Sequence, residues 1–181
     1  MLSLAFCCAL AAGWCAGGRL SRFEGAGLRW LVLPVLSLLL QALSPHLVPL
    51  TGVLVLFSYL LLLLFLWKNR ALRKTALFAG LGSLCNALVI AANGFRMPVA
   101  AGAASRLSPA AAAQLIGGEI PMYTLAGDTA RLLFLGDVLY CPIPFFEGFA
   151  SVGDILLALG IFFCLMRVMS PSRLPRWLCS G

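Results

Sequence analysis

Residues 131–155, RLLFLGDVLYCPIPFFEGFASVGDI, combine an apolar composition with acidic side chains. Two Gly-Asp pairs, which end at Asp137 and Asp154, flank a Pro-x-Pro turn and the isolated Glu147. A carboxylate is costly beside a hydrocarbon layer, so acids placed in such a stretch are candidates for a functional site. We therefore expect the rest of the chain to be a scaffold that presents this stretch at one side of a membrane.

The composition of the whole chain points to a membrane protein. Of its 181 residues, 62% are hydrophobic and 10% are charged, whereas soluble domains carry roughly 25% charged residues. The net charge of +7 comes from basic residues in short clusters between apolar runs. That pattern is typical of a membrane topology signal and not of a nucleic-acid-binding face. The expected partners are the lipid bilayer and other membrane proteins, and no nucleic acid.

Five apolar runs approach or reach the length of about 20 helical residues that crosses a bilayer. The predicted spans are residues 2–16, 30–43, 50–67, 75–92 and 152–169. The first run is short, but it lacks the positive start of a secretory signal and has basic residues after it. The sequence thus predicts an all-α fold in which residues 1–181 form a single integral membrane domain.

Basic and acidic residues fall on different sides of these five spans. Most of the 13 Lys and Arg residues lie in segments 17–29, 68–74 and 167–181, which share one side. Five of the six acids lie between residues 119 and 154. Because basic loops remain in the cytoplasm, we expect the N-terminus outside, the C-terminus inside and residues 93–151 as a structured outer segment. The predicted location is the cell (cytoplasmic) membrane, which the chain crosses several times.

The fourth predicted span, residues 75–92, carries small residues between Ala79 and Ser83, and Asn86 lies within it. Small residues allow neighbouring helices to approach closely. The sequence therefore predicts that this span packs tightly against another one.

Short elements are predicted in the outer segment as well. Ser108 is a suitable N-cap, Pro109 can take the first helical position, and Gly117 can end a short helix. Residues 131–146 are too short for a sixth span and contain two prolines. We expect them to form an interfacial or re-entrant segment that packs against the helices, because irregular backbone near the hydrocarbon needs protein or water around it.

Asp137 and Asp154 allow three interpretations. If the turn between them folds back, the two carboxylates can share a proton and serve as the acid–base pair of an aspartyl hydrolase. Alternatively, Ser151 and Asp154 form a capping box at the start of the last span, and Asp137 pairs with Arg131 or Arg96. The third interpretation is a site for a proton or another ion.

Four further residues are candidates for the lining of an outer pocket around the two aspartates: Asn93, Arg96, Arg131 and Glu147. Asn93 also begins an Asn-Gly pair, which favours a turn at a helix end. No His, Cys or acidic residues show metal-ligand spacing, and the sequence has no phosphate-binding loop and no Cys/His nucleophile pair. We expect neither a metal nor a cofactor.

Three parts of the chain form a distinctive combination. They are GGRLS at 17–21, ANGFRMP at 92–98, and LGDV at 135–138 together with SVGDI at 151–155. In this combination the chain resembles a family of small bacterial integral membrane proteins with a domain of unknown function. The resemblance implies a multi-spanning bacterial membrane protein and no established activity.

The surroundings of the two aspartates carry a second resemblance. Gly136-Asp137-Val138 and the FASVGD segment that ends at Asp154 are similar in order and spacing to the aspartate segments of lipoprotein signal peptidases. That family uses two catalytic aspartates at the outer face of the membrane. Its Asn-x-Gly-Ala-Ala-Phe and Gly-Asn-x-x-Asp-Arg segments are missing from this sequence, and the first predicted span is extra.

The leading functional hypothesis is an interaction or accessory protein, not an enzyme, whose acidic outer segment engages a partner. An intramembrane aspartyl hydrolase that uses Asp137 and Asp154 is the alternative. A proton- or ion-coupled transporter is the second alternative, although the sequence shows no internal repeat of the kind that many transporters have. The three hypotheses differ in the groups that they expect to contact Asp137 and Asp154.

Overall fold

The computed structural model describes residues 2–47, 50–143 and 145–179. The predicted Pro-x-Pro turn includes Pro144, which lies outside the described residues. The chain is mostly helical. Its helices are α1 (Leu2–Cys15), α2 (Val32–Leu43), α3 (Thr51–Lys68), α4 (Arg73–Ala92), α5 (Ala101–Ala104), α6 (Pro109–Ile116), α7 (Val152–Met169) and α8 (Arg176–Cys179), and short 3₁₀ turns occupy Leu20–Ala26, Ser44–His46 and Leu133–Leu135.

Three helices, α3, α4 and α7, are long and apolar enough to cross a membrane. They correspond to the last three predicted spans. The first two predicted spans coincide with shorter apolar helices, α1 and the helical stretch Val32–His46. The total number of spans and their orientation remain predictions, and the name outer segment denotes residues 93–151 without assigning them a side of the membrane.

A small sheet in the outer segment corrects the all-α prediction. The strands β1 (Met97–Val99), β2 (Tyr123–Leu125), β3 (Asp137–Cys141) and β4 (Gly148–Ser151) form one sheet in the order β2-β1-β3-β4. β1 is parallel to β2 and β3, and β3 is antiparallel to β4. The strands have only three to five residues. The alternation of polar and apolar residues that marks a strand in a sequence is not visible over so few residues in an apolar segment. The pairing supplies backbone hydrogen bonds that this segment would otherwise lack near the membrane.

Helices α4 and α7 form the centre of the bundle. On their other sides α3 packs against α4, α2 packs against α3, and α1 packs against α7. Glycines bring α4 and α7 into backbone contact: a Cβ on Gly160 would lie 2.7 Å from the backbone N of Ala79 and 2.9 Å from its Cα. Ala79 and Gly82, two of the small residues in the fourth predicted span, therefore serve helix–helix contact, as expected.

The basic segments meet at one end of this bundle. The Arg19 N–H donates to the Met169 carbonyl (3.0 Å), and the Arg173 N–H donates to the Ala16 carbonyl (3.0 Å). The Arg29 N–H donates to Asn69 Oδ1 (2.9 Å) at the end of α3. The outer segment begins at the other end of α4, so the basic segments and the acid-rich segment lie at opposite ends of the helices.

The short helix of the outer segment is confirmed with its predicted bounds. α6 begins at Pro109, the Ser108 side chain accepts a hydrogen bond from the Ala111 N–H, and the helix ends at Ile116 before Gly117. Leu115 of α6 packs with Val99 of β1 in a small apolar cluster. This cluster attaches the helix to the sheet and gives the segment a core of its own.

Candidate functional site

Asp154 lies in a capping box at the start of α7, as one interpretation of the sequence predicts. The Ser151 Oγ accepts a hydrogen bond from the Asp154 N–H (2.9 Å), and Asp154 Oδ2 accepts one from the Ser151 N–H (3.2 Å). The two residues thereby satisfy amide groups that the first turn of a helix leaves without partners. Because Ser151 also ends β4, the capping box is the junction between the sheet and the bundle.

Asn86 of α4 ties this junction to the helices. Its side chain is buried, with 1% of its surface exposed. Nδ2 donates to Asp154 Oδ1 (2.9 Å) and to the Tyr59 hydroxyl (3.2 Å), and Oδ1 accepts from the Ser151 Oγ (2.8 Å). A buried amide is costly unless its polar atoms are paired. Asn86 meets that requirement only because α3, α4 and α7 bring Tyr59, Ser151 and Asp154 around it.

Asp137 begins β3 directly opposite Ser151, so it lies beside the capping box. Its side chain is 3% exposed, and its backbone carbonyl accepts a hydrogen bond from the Ala100 N–H (3.0 Å). Within the described part of the chain, no residue forms an ion pair with the Asp137 carboxyl or donates a hydrogen bond to it. The expected pairing with Arg131 or Arg96 is therefore not formed.

Burial, followed by the nearby negative charge of Asp154, raises the pKa of Asp137 from 3.8 to about 8. Both effects disfavour a second carboxylate at this place. Asp137 is consequently protonated at neutral pH, whereas an exposed aspartate is ionised. The site can hold a proton and release it when the pH rises above about 8.

Two tyrosines that are not among the predicted site residues, Tyr59 and Tyr123, extend the cluster. Tyr59 contributes its hydroxyl from the middle of α3. Tyr123 of β2 packs edge-on against Phe149, with ring centroids 5.8 Å apart. Burial, followed by the charges of Asp137 and Asp154, raises the pKa of Tyr123, so its phenol keeps its proton. The sequence offered one signal for Tyr59, which is a polar residue within a predicted span.

The remaining candidate residues lie elsewhere in the outer segment. Asn93 holds the backbone of Arg131 through two hydrogen bonds, from its Nδ2 to the Arg131 carbonyl (2.7 Å) and from the Arg131 N–H to its Oδ1 (2.8 Å). Arg96 is exposed and borders a separate cavity of about 230 Å³. Glu147 accepts a hydrogen bond from the Tyr140 hydroxyl. In the described residues none of these four hydrogen-bonds to Asp137 or Asp154, so their place in a common pocket stays a prediction.

Asn86→Ala is expected to destabilise the protein by roughly 3 kcal/mol, because it leaves buried polar groups of Asp154 and Ser151 without a partner. Tyr59→Phe is the graded control, since it removes only the 3.2 Å hydrogen bond and should cost about 1 kcal/mol. Thermal unfolding of the detergent-solubilised full chain measures both changes. Equal effects of the two variants would show that Asn86 does not organise the junction.

Across the described ranges, no three His, Cys, Asp or Glu side chains lie close enough together to hold a metal ion. The chemistry that the cluster can perform is proton binding and hydrogen bonding.

Comparisons with known proteins place the chain in a family but do not assign it an activity. No curated protein and no solved structure gives a significant match. A family model described as "Family of unknown function (DUF5317)" matches residues 28–166. The match includes the whole Asn86–Asp137–Asp154 cluster and covers well over half of the 181 residues. The chain therefore belongs to the DUF5317 family of unknown function.

Proposed function

We propose that this protein is a multi-pass accessory protein of the cell membrane, in which residues 93–151 form a proton-responsive outer segment that engages another membrane protein. The observation that carries the proposal is the buried Asp137 carboxyl beside the capping box of Asp154. This carboxyl sits where the sheet of the outer segment meets α7. Its protonation state therefore determines how firmly the whole segment is packed against the helix bundle.

The coupling works through like-charge repulsion. Below a pH of about 8 the Asp137 carboxyl is neutral, and the junction contains the carboxylate of Asp154 with its hydrogen-bond donors. Above that pH a second negative charge develops in the same buried region, where charges are poorly screened. The strands β3 and β4 are then held less firmly against the helices.

Two further observations support an outer segment that interacts with a partner. The basic segments gather at the end of the bundle away from this segment, and the positive-inside rule would place that basic end in the cytoplasm. The outer segment also exposes large apolar side chains: 69% of Ile116, 67% of Phe134 and all of Phe145. Large apolar side chains exposed to water in this way mark a site of interaction with another molecule.

An intramembrane aspartyl hydrolase is the second candidate, because Asp137 carries a proton next to another carboxylate, as acid–base catalysis requires. Two features favour the accessory role over it. Both oxygens of Asp154 already accept hydrogen bonds, from Asn86 and from the Ser151 N–H. The Asp137 side chain is 3% exposed, which leaves little surface for a substrate.

Photo-crosslinking in whole cells tests the accessory role. A photoreactive side chain at Phe134 should give a discrete protein adduct, whereas one at Phe57 on α3, which is 49% exposed, should give lipid adducts. The yield at Phe134 should fall between pH 6 and pH 9, because Asp137 loses its proton in this interval. In Asp137→Asn the yield should stay constant.

Each outcome of this experiment separates parts of the proposal. Lipid adducts alone at Phe134 would refute the interaction role. A protein adduct with the same pH response in Asp137→Asn would leave the interaction and refute the proton link. Cleavage of a lipoprotein-precursor peptide by the purified protein, with loss of cleavage in Asp154→Asn, would support the hydrolase instead.

A further inference from the structure

A basic pocket of about 490 Å³ lies at the end of the bundle far from the aspartates. Its charged lining consists of Arg29, Lys68, Arg70 and Arg167. Among the residues that the structure describes, no carboxylate pairs with these four cations. Positive charge at this end is expected from membrane topology, but topology alone does not require a concave site.

The pocket is built by specific contacts. Asn69 is buried at the end of α3, where its Oδ1 accepts from the Arg29 N–H (2.9 Å) and its Nδ2 donates to the Arg29 carbonyl (2.8 Å). This pair of bonds fixes the segment before α2 against α3. The ammonium of Lys68 lies 4.7 Å from the ring centroid of Trp30, in a cation–π contact. These contacts fix the Arg29 backbone and the Lys68 ammonium at the opening that Arg70 and Arg167 also line.

An apolar cavity of about 400 Å³ is lined in part by residues that are next in the chain to residues of the basic pocket. Side chains of α1, α2, α3, α4 and α7 line it, among them Phe6, Leu38, Phe65 and Leu157. The same chain segments continue from one space to the other: Leu28 precedes Arg29, and Val168 follows Arg167. Both volumes fall in the range of about 300–1,000 Å³ that is usual for ligand sites.

We infer that the two spaces form one binding site for an anionic phospholipid of the basic-side leaflet. Its phosphate binds among Arg29, Lys68, Arg70 and Arg167, and one of its acyl chains enters the apolar cavity. Arginine guanidinium groups recognise phosphate oxygens in a bidentate manner, and lysine adds a point charge. Basic pockets between membrane helices on the cytoplasmic side are suited to such headgroups. A free phosphate would leave the apolar cavity without an occupant.

Lipid titration of the purified full chain tests this site. Native mass spectrometry in detergent should show phosphatidylglycerol binding about tenfold more tightly than phosphatidylcholine with the same acyl chains. Arg29→Gln/Arg167→Gln should abolish this preference. Arg106→Gln/Arg131→Gln is the matched control, because it removes the same charge from exposed residues of the outer segment and should preserve the preference.

A second comparison uses the unaltered protein and tests the acyl-chain cavity. Long-chain phosphatidylglycerol should bind more tightly than a water-soluble short-chain form, and an excess of inorganic phosphate should not displace it. Equal affinities for phosphatidylglycerol and phosphatidylcholine would overturn the proposal. So would equal losses in the two double variants, displacement by inorganic phosphate, or affinity that does not depend on chain length.

Discussion

Asp137→Asn is expected to stabilise the protein at neutral pH and to remove a loss of stability that the unaltered chain shows as the pH rises. The pKa of Asp137 in the folded protein is about 8, against an ordinary value of 3.8, because its carboxyl is buried beside Asp154. Between these two values the folded protein keeps this proton and the unfolded chain releases it. The free energy of unfolding therefore falls by roughly 1.4 kcal/mol for each pH unit between 3.8 and about 8. The stabilisation that the Asp137 proton contributes is present in full only below pH 3.8.

Asparagine has nearly the same shape as protonated aspartate and carries no charge at any pH. The variant should match the unaltered protein near pH 4 and exceed it increasingly up to pH 8. Thermal unfolding at unit steps of pH, in one detergent, measures the difference. Asp128→Asn is the control, because Asp128 is exposed and its substitution should leave the pH profile unchanged. Parallel profiles for Asp137→Asn and the unaltered chain would contradict a neutral, buried Asp137.

Gly153→Ala is expected to cost about 3 kcal/mol, although alanine is normally the better helix former. A Cβ at this position would overlap Asn86 Oδ1 and would lie 2.8 Å from the Gly82 carbonyl oxygen. Relief of this overlap requires α4 and α7 to move apart or the Asn86 amide to leave Ser151 and Asp154. Either movement opens the junction that holds the outer segment.

Gly80→Ala provides the matched control on α4. A Cβ on Gly80 would meet no atom within 4 Å, so the expected change in stability is within about 0.5 kcal/mol. Thermal unfolding gives both values, and the yield of monodisperse protein reports assembly failure for Gly153→Ala. A small effect at both glycines would mean that α4 and α7 tolerate separation, and that close packing does not hold the junction.

Local rules were enough for several features of the outer segment and of α7. The helix that starts at Pro109 follows from the N-cap Ser108 and the stop at Gly117. The capping box of Ser151 and Asp154 follows from residues three positions apart. In these cases the hydrogen-bonding partners are neighbours in the chain, so their types and spacing determine the structure.

Composition and charge also determined, from the sequence alone, that apolar helices long enough to cross a membrane are present and that basic and acidic residues are separated along the chain. These properties are sums over many residues and do not depend on which helices touch.

The tertiary structure alone decided the sheet and the proton site. β1 pairs with strands that follow much later in the chain, and Asn86 is 68 residues from Asp154. Asp137 becomes a buried neutral acid only when distant segments remove water from it, because desolvation depends on the folded surroundings and not on neighbouring residues.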